Sequence, residues 1–178
     1  AAFDRLKPLE RITPAHLKPV LADSLASVKV NPEDFTERKY RMLLELAKKN
    51  YRFVKFGELE NTKDSTESHI LLRHDVDMSL QRALKLAQIE SDLGIQSTYL
   101  LLLHSTFYNC LEADSVSLVR KITSLGHDIG LHFDLSFYSG LNSLAALEEK
   151  IRFESSVIEQ STGCTPAAIS FHNPDTND

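Results

Sequence analysis

The stretch "HILLRHDVDMS", from His69 to Ser79, determines how the rest of the chain is interpreted. It begins with a short apolar run, and four titratable residues follow it closely: Arg73, His74, Asp75 and Asp77. Apolar runs of this kind are typical of buried strands, and a buried carboxylate needs a partner. The pattern therefore predicts a core strand that ends in two acids for a functional reason.

Strands and helices alternate on both sides of this stretch. The pattern predicts strands over residues 51–56, 69–77, 96–105, 127–134 and 166–174, and helices over residues 31–50, 79–94, 114–126 and 141–163. Asn31, Ser79 and Asp114 are the predicted helix caps, and Gly94 and Gly126 are the predicted helix ends. Such alternation is typical of right-handed βαβ units, so we expect an α/β fold with a mostly parallel sheet.

Polar side chains stand at the carboxyl ends of the predicted strands, where parallel α/β folds place their functional groups. Because side chains alternate along a strand, Asp75 and Asp77 share a face, and Ser170 shares a face with His172. A single such residue is more often a cap or turn residue, so the prediction rests on the repetition. We expect one rim to hold six side chains: Asp75, Asp77, His104, His132, Asp134 and His172.

Carboxylates and imidazoles are the ligands of zinc or another divalent transition metal. Such a metal lowers the pKa of a bound water and polarises a carbonyl oxygen. The rim therefore favours metal-dependent hydrolysis.

Composition argues against several other classes of function. The 178 residues carry a net charge of −5, which provides no electrostatic footprint for nucleic acid or an anionic membrane. No apolar run approaches the roughly 20 residues of a membrane helix. Cys110 and Cys164 are too few for a disulfide framework, which favours a reducing cytoplasm. The oligomeric state is left open.

Three ordered motifs resemble those of the polysaccharide deacetylases of carbohydrate esterase family four, especially members from surface-polysaccharide and lipopolysaccharide biosynthesis. "RHDVD" resembles the acidic first motif, "LGHDIGLHFD" resembles the second, and "SFHNP" stands where the third would fall. The resemblance covers about residues 35 to 174. It implies metal-dependent removal of acetyl groups from N-acetylated sugars. It also implies a distorted (β/α) barrel domain over residues 35–178, after an N-terminal extension over residues 1–34.

The same resemblance assigns roles to single residues. Asp75 resembles the catalytic base, Asp77 the metal-binding acid and His132 the first metal-binding histidine. The family usually has a second histidine four residues later, and that position is Ser136 here. The arginine that orients the base corresponds roughly to His172.

One metal ligand is thus absent from its usual place. We expect His172 to replace it, with Asp134 and His104 as the next choices. His104, Asp134 and Asn173 are otherwise candidates for substrate binding or for support of the ligands. His74 and His127 are expected to be structural, because His74 alternates away from the acids and His127 precedes its strand.

Two other functions are compatible with these residues. "DVD" also fits the Asp-X-Asp element of a glycosyltransferase, but that function leaves His132 and His172 without a task. Ser136 is compatible with a non-catalytic sugar-binding protein on a deacetylase-like barrel.

The number of strands leads to a further expectation. A closed barrel needs about seven or eight strands, and the chain has five predicted ones. We therefore expect an open sheet with an exposed edge, in a fragment that lacks the family's late general-acid histidine.

Overall fold

The computed structural model describes residues 35–62 and 66–173. The predicted extension over residues 1–34, with the cap at Asn31, lies outside the described residues. The described α-helices and strands, in chain order, are α1 Glu37–Ala47, β1 Arg52–Val54, β2 His69–Leu71, β3 Arg73–Val76, α2 Leu80–Asp92, β4 Thr98–Leu101, α3 Ala113–Ser124, β5 Asp128–Phe133, α4 Leu144–Thr162 and β6 Ile169–Phe171. Short 3-10 helices lie at Phe56–Thr62 and Leu135–Phe137. None of the described helices is both long enough and apolar enough to cross a membrane.

Four of the strands form one parallel sheet in the order β3-β4-β5-β6, and β1 pairs in parallel with β2 in a separate small sheet. The register places Asp75 beside Leu100 of β4, Leu100 beside Gly130 of β5, and His132 beside Ser170 of β6. The predicted parallel α/β alternation is confirmed. The described strands form a curled, open sheet and do not close into a full barrel.

The predicted strand over residues 69–77 is wrong in one respect, because the structure divides it into β2 and β3. Leu72 separates the two strands, and its carbonyl accepts a hydrogen bond from the N–H of Thr98. The chain therefore changes its pairing partner here, from β1 to β4. An uninterrupted extended sequence contains no local signal for such a change.

The predicted boundaries of α2 agree with the structure within two residues, whereas α1 and α4 begin later than predicted, at Glu37 and Leu144. Ser79 caps α2 by accepting a hydrogen bond from the N–H of Arg82, and Gly94 and Gly126 have positive φ angles of 65° and 95°. The predicted cap at Asp114 is wrong. Glu112 caps α3, since its carboxylate accepts from the N–H groups of Asp114 and Ser115.

The main hydrophobic core lies on the side of the sheet that faces the helices, and its members include Tyr99, Leu101, Leu131, Phe133, Ile122 and Ile158. The alternate residues of the strands lie on the other side, which we call the open face: Asp75, Gly130, His132 and Ser170. A Cβ atom on Gly130 would lie 2.3 Å from the Leu100 side chain and 2.7 Å from the Ala168 carbonyl oxygen. The open face therefore has no room for a side chain at position 130, two residues before His132.

Candidate metal centre

Three predicted side chains meet on the open face. Asp77 follows β3, His132 belongs to β5 and His172 follows β6. The His132 Nε2 atom lies 3.1 Å from His172 Nδ1 and 3.5 Å from Asp77 Oδ1, and the remaining pair is 3.7 Å apart. Ligands that surround a metal tetrahedrally at about 2.1 Å are separated from each other by about 3.4 Å. The spacing of these three atoms fits a shared divalent ion.

The hydrogen bonding of the cluster also fits a cation. Asp77 Oδ1 is buried and accepts no hydrogen bond from any described residue. Buried carboxylate oxygens are normally hydrogen-bonded. A buried carboxylate oxygen that faces two imidazole nitrogens, without a donor of its own, has the chemistry of a zinc or similar site.

Neighbouring loops hold the ligands in place. Ser105 Oγ donates to the carbonyl oxygen of Asp77 at 2.8 Å, and Tyr108 Oη donates to that of Val76 at 2.5 Å. The Asn173 amide lies 2.9 Å from His172 Nε2, so it orients the ring with Nδ1 towards the cluster. Asn173 itself has a positive φ angle of 42°, a conformation that asparagine tolerates better than most residues.

Asp75 stands at the edge of this cluster. Its Oδ2 atom is 3.9 Å from His132 Nε2, and 31% of its side chain is exposed to solvent. Arg73 Nη2 lies 3.3 Å from the same oxygen. Side-chain alternation along β3 places Arg73 on the same face as Asp75 and Asp77, and this alternation is the sequence signal for its position beside them.

Two clefts border these groups. One has a volume of about 490 Å³ and is lined by the cluster together with Arg73, Asp75 and Phe171. The other has a volume of about 590 Å³ and extends from the same acids towards Met78 and Arg82. Volumes of about 300–1,000 Å³ are typical of small-ligand sites.

Two predicted rim residues are not in the cluster. His104 Nε2 lies 3.0 Å from Glu154 Oε1, and its ring stacks on Phe137 with ring centroids 3.5 Å apart. Asp134 Oδ1 accepts hydrogen bonds from the N–H and the hydroxyl of Ser136, and so caps the turn Leu135–Phe137. His172 is therefore the one candidate replacement ligand, of the three, that lies beside Asp77 and His132.

The other side of the sheet carries a second polar cluster, centred on the fully buried Glu90 of α2. Its carboxylate has four donors within hydrogen-bond distance: Tyr40, His74, Ser97 and Tyr99. His127 Nε2 donates to the Ala87 carbonyl oxygen at 3.0 Å, and the ring is buried. The structural assignments of His74 and His127 are confirmed by these contacts.

The pKa values in the second cluster follow from burial and hydrogen bonding. Burial alone would raise the pKa of Glu90, but the hydrogen bond and the charge of His74, with the hydroxyls of Ser97 and Tyr40, outweigh it and lower the pKa. Burial lowers the pKa of His127 and raises that of Tyr99. Near neutral pH, Glu90 is therefore an ionised carboxylate in a saturated network.

Glu154 of α4 is also fully buried, but it has fewer donors. Tyr138 Oη donates to its Oε1 atom at 2.6 Å, whereas its Oε2 atom is buried without a partner among the described residues. Burial raises the pKa of Glu154, and the hydrogen bond from Tyr138 and the contact with His104 only partly offset this. Burial therefore makes ionisation of Glu154 harder than that of an exposed glutamate.

No protein-family model matches the chain, and no curated protein matches it either. Among solved structures, the chain is similar to the Streptococcus pyogenes deacetylase PplD in complex with acetate. The TM-score is 0.54 at 14% sequence identity, over 87% of this chain and 71% of that chain. At this identity the likeness shows the fold alone, so the chain has a deacetylase-like α/β fold. The predicted subtype in surface-polysaccharide biosynthesis stays a prediction.

Proposed function

We propose that this protein is a metal-dependent hydrolase that removes acetyl groups from N-acetylated sugars of a surface polysaccharide or its precursor, in the cytoplasm. The main supporting observation is the cluster of Asp77, His132 and His172 beside Asp75, at the carboxyl edge of a parallel sheet. The likeness to a solved deacetylase is a second, weaker support, because it concerns the fold.

Each residue of the centre has a separate task in this proposal. Asp77, His132 and His172 hold a divalent ion, for which zinc fits the donor set best. Such an ion would polarise the acetyl carbonyl and lower the pKa of a water molecule. Asp75 removes a proton from the attacking water as a general base. Two acids are needed because one carboxylate cannot both bind the metal tightly and accept this proton.

The cleft beside the centre suits a sugar. Arg73, Asp75 and Asn173 line it and offer hydrogen-bonding groups for the hydroxyls of a sugar. A small number of placed polar groups that fix the orientation of a ligand is a usual feature of such a site.

The experiment that tests the proposal separates the two acids. Metal content and acetate release from a panel of N-acetyl sugars are measured for the wild type, Asp75→Asn and Asp77→Asn. Asp77→Asn is expected to lose metal and all activity. Asp75→Asn is expected to keep the metal and to lower the rate by about 10²–10⁴, the usual contribution of a general base. Asp114→Asn, in the exposed first turn of α3, is the matched control and should change neither quantity.

Three outcomes would contradict parts of this proposal. If Asp75→Asn loses metal and Asp77→Asn keeps it, the two roles are reversed. If neither variant changes metal content or rate, the acids are structural. If the wild type binds zinc and the sugar but releases no acetate, the protein is a non-catalytic sugar-binding protein. Ser136 favours this second candidate function. It occupies the position where the resembled family has a metal-binding histidine, and its hydroxyl donates to Asp134.

A further inference from the structure

Arg73 connects the two outer strands of the four-stranded sheet. Its Nη1 atom donates a hydrogen bond to Ser170 Oγ at 2.8 Å, while Nη2 lies 3.3 Å from Asp75 Oδ2. Arg73 belongs to β3 and Ser170 to β6, and both β4 and β5 lie between them. Since β3 and β6 share no backbone ladder, the guanidinium is a direct side-chain link between them.

The link requires a particular shape of the sheet. Adjacent strands lie about 4.8 Å apart, so β3 and β6 would be about 14 Å apart in a flat sheet. An arginine side chain is shorter than this distance. It reaches the buried Ser170 hydroxyl because the sheet curls towards the open face. The hydrogen bond forms only while this curl is maintained.

The two linked strands carry different metal ligands. Asp77 follows β3 by one residue, and His172 follows β6, two residues after Ser170. Their ligand atoms, Asp77 Oδ1 and His172 Nδ1, are the most widely separated pair of the cluster, at 3.7 Å. A looser curl would separate this pair first, because β3 and β6 are furthest apart in the sheet.

We propose that Arg73 is a positioning residue that braces β3 against β6 and so holds Asp77 and His172 at metal-binding distance. This inference rests on the metal centre of the proposed function. It concerns the assembly of that centre and does not depend on the reaction.

The charge of Arg73 and its brace have opposite effects on metal affinity. A positive charge near the cluster repels a divalent cation, so its removal alone would tighten binding. The brace brings the ligands together, so its removal would weaken binding. Arg73 pairs with Asp75, and 46% of its side chain is exposed, so solvent and the carboxylate screen its charge. We therefore expect the brace to dominate.

The test measures the zinc dissociation constant of the full chain by competition with a chromogenic chelator. Ser170→Ala removes the acceptor of the brace and changes no charge. Arg73→Lys keeps the charge and loses the forked donor geometry. Each is expected to weaken zinc binding about tenfold, in the range for residues that support metal ligands. The double variant should be no weaker than either single variant, because both changes break the same link.

Arg82→Met is the matched control for charge. Arg82 is exposed and lines the neighbouring cleft, so this variant removes a positive charge from the same rim without touching the brace. Its zinc affinity should stay within about twofold of the wild type, or tighten slightly. Circular dichroism of each metal-free variant checks that the fold is retained.

The results distinguish the brace from the reaction. If Ser170→Ala binds zinc as tightly as the wild type, or if the two single losses add, the brace is overturned. A wild type that binds no zinc overturns it as well. If Ser170→Ala weakens zinc binding but the wild type never releases acetate, the brace stands and the hydrolase proposal fails.

Discussion

His74 and Asp75 are neighbours in β3, yet they belong to two polar clusters of opposite character. His74 faces the helices, where Glu90 has four hydrogen-bond donors. Asp75 faces the open side, where the buried Oδ1 atom of Asp77 has no donor among the described residues. The two faces of β3 therefore border carboxylates in different states: Glu90 is fully hydrogen-bonded, and Asp77 Oδ1 has no donor within the described part of the chain.

The number of hydrogen-bond donors distinguishes an acid that serves stability from one that serves function. A fully hydrogen-bonded buried network strengthens a fold, and its removal leaves several groups unpaired. A buried acceptor that lacks a donor destabilises the fold until a ligand pairs with it. The Glu90 cluster therefore belongs to the scaffold, and the Asp77 cluster has the character of a binding site. Three substitutions test this contrast.

Glu90→Gln is expected to have the largest effect, a loss of about 3–5 kcal/mol in the free energy of unfolding. The amide keeps the shape of the side chain but removes the negative charge that His74 and the hydroxyls surround. Breaking a buried ion pair by removing one partner costs about 3–5 kcal/mol. Urea unfolding measures the loss. Because the pKa of Glu90 is lowered from 4.5, its contribution is complete above pH 4.5 and is lost as the pH falls further. The cost of Glu90→Gln should therefore shrink below pH 4.5.

The folded fraction of Glu90→Gln should bind zinc within about twofold of the wild type. A cost of less than about 1 kcal/mol would show that the Glu90 network is not a major source of stability. A large loss of zinc affinity would show that the two clusters are coupled through β3.

Asp77→Asn is expected to have the second largest effect, and only in the presence of zinc. A ligand that binds the folded state alone stabilises it by about 2.7 kcal/mol at a concentration 100 times its dissociation constant. The wild type should gain this amount and Asp77→Asn should gain almost none. Without metal, the two proteins should unfold within about 1 kcal/mol of each other, because Asp77 Oδ1 has no hydrogen bond to lose. Thermal unfolding with and without zinc provides both values.

A metal-free Asp77→Asn protein that is several kcal/mol less stable than the wild type would contradict this contrast. Asp77 would then be a structural acid of the same kind as Glu90.

Glu154→Gln is expected to have the smallest effect, a gain of about 1 kcal/mol in the free energy of unfolding at pH 7. This is the usual net contribution of one hydrogen bond. The pKa of Glu154 is raised from 4.5, so ionisation opposes folding as the pH rises through its folded-state value. A neutral amide avoids this cost and still accepts the hydrogen bond from Tyr138. The gain should disappear as the pH falls towards 4.5, and urea unfolding at both pH values measures it.

The opposite pH trends make Glu90→Gln and Glu154→Gln controls for each other. Both replace a fully buried glutamate on a helix behind the sheet. If the two variants change stability in the same direction at pH 7, donor number does not distinguish the two sites.

Local rules are sufficient for the parts of this protein that depend on neighbours in sequence. Ser79 caps α2 and Gly94 follows it because a side-chain acceptor and a positive φ angle act within one turn. Alternation also placed Asp77, His132 and His172 correctly at the carboxyl edge, since the period of a strand is a property of its own backbone. The Glu112 cap of α3 was missed because aspartate is a preferred cap residue and glutamate is not, so the local preference pointed to Asp114.

Local sequence patterns are therefore sufficient to predict the parallel α/β fold and the types of side chain at its carboxyl edge. Three features depend on tertiary contacts: the change of strand partner at Leu72, the contact of His104 with Glu154, and the hydrogen bond from Arg73 to Ser170. These three features join residues 26, 50 and 97 positions apart, respectively. Contacts at such separations depend on the curvature of the sheet and on which side chains already occupy each face, and no local pattern encodes either.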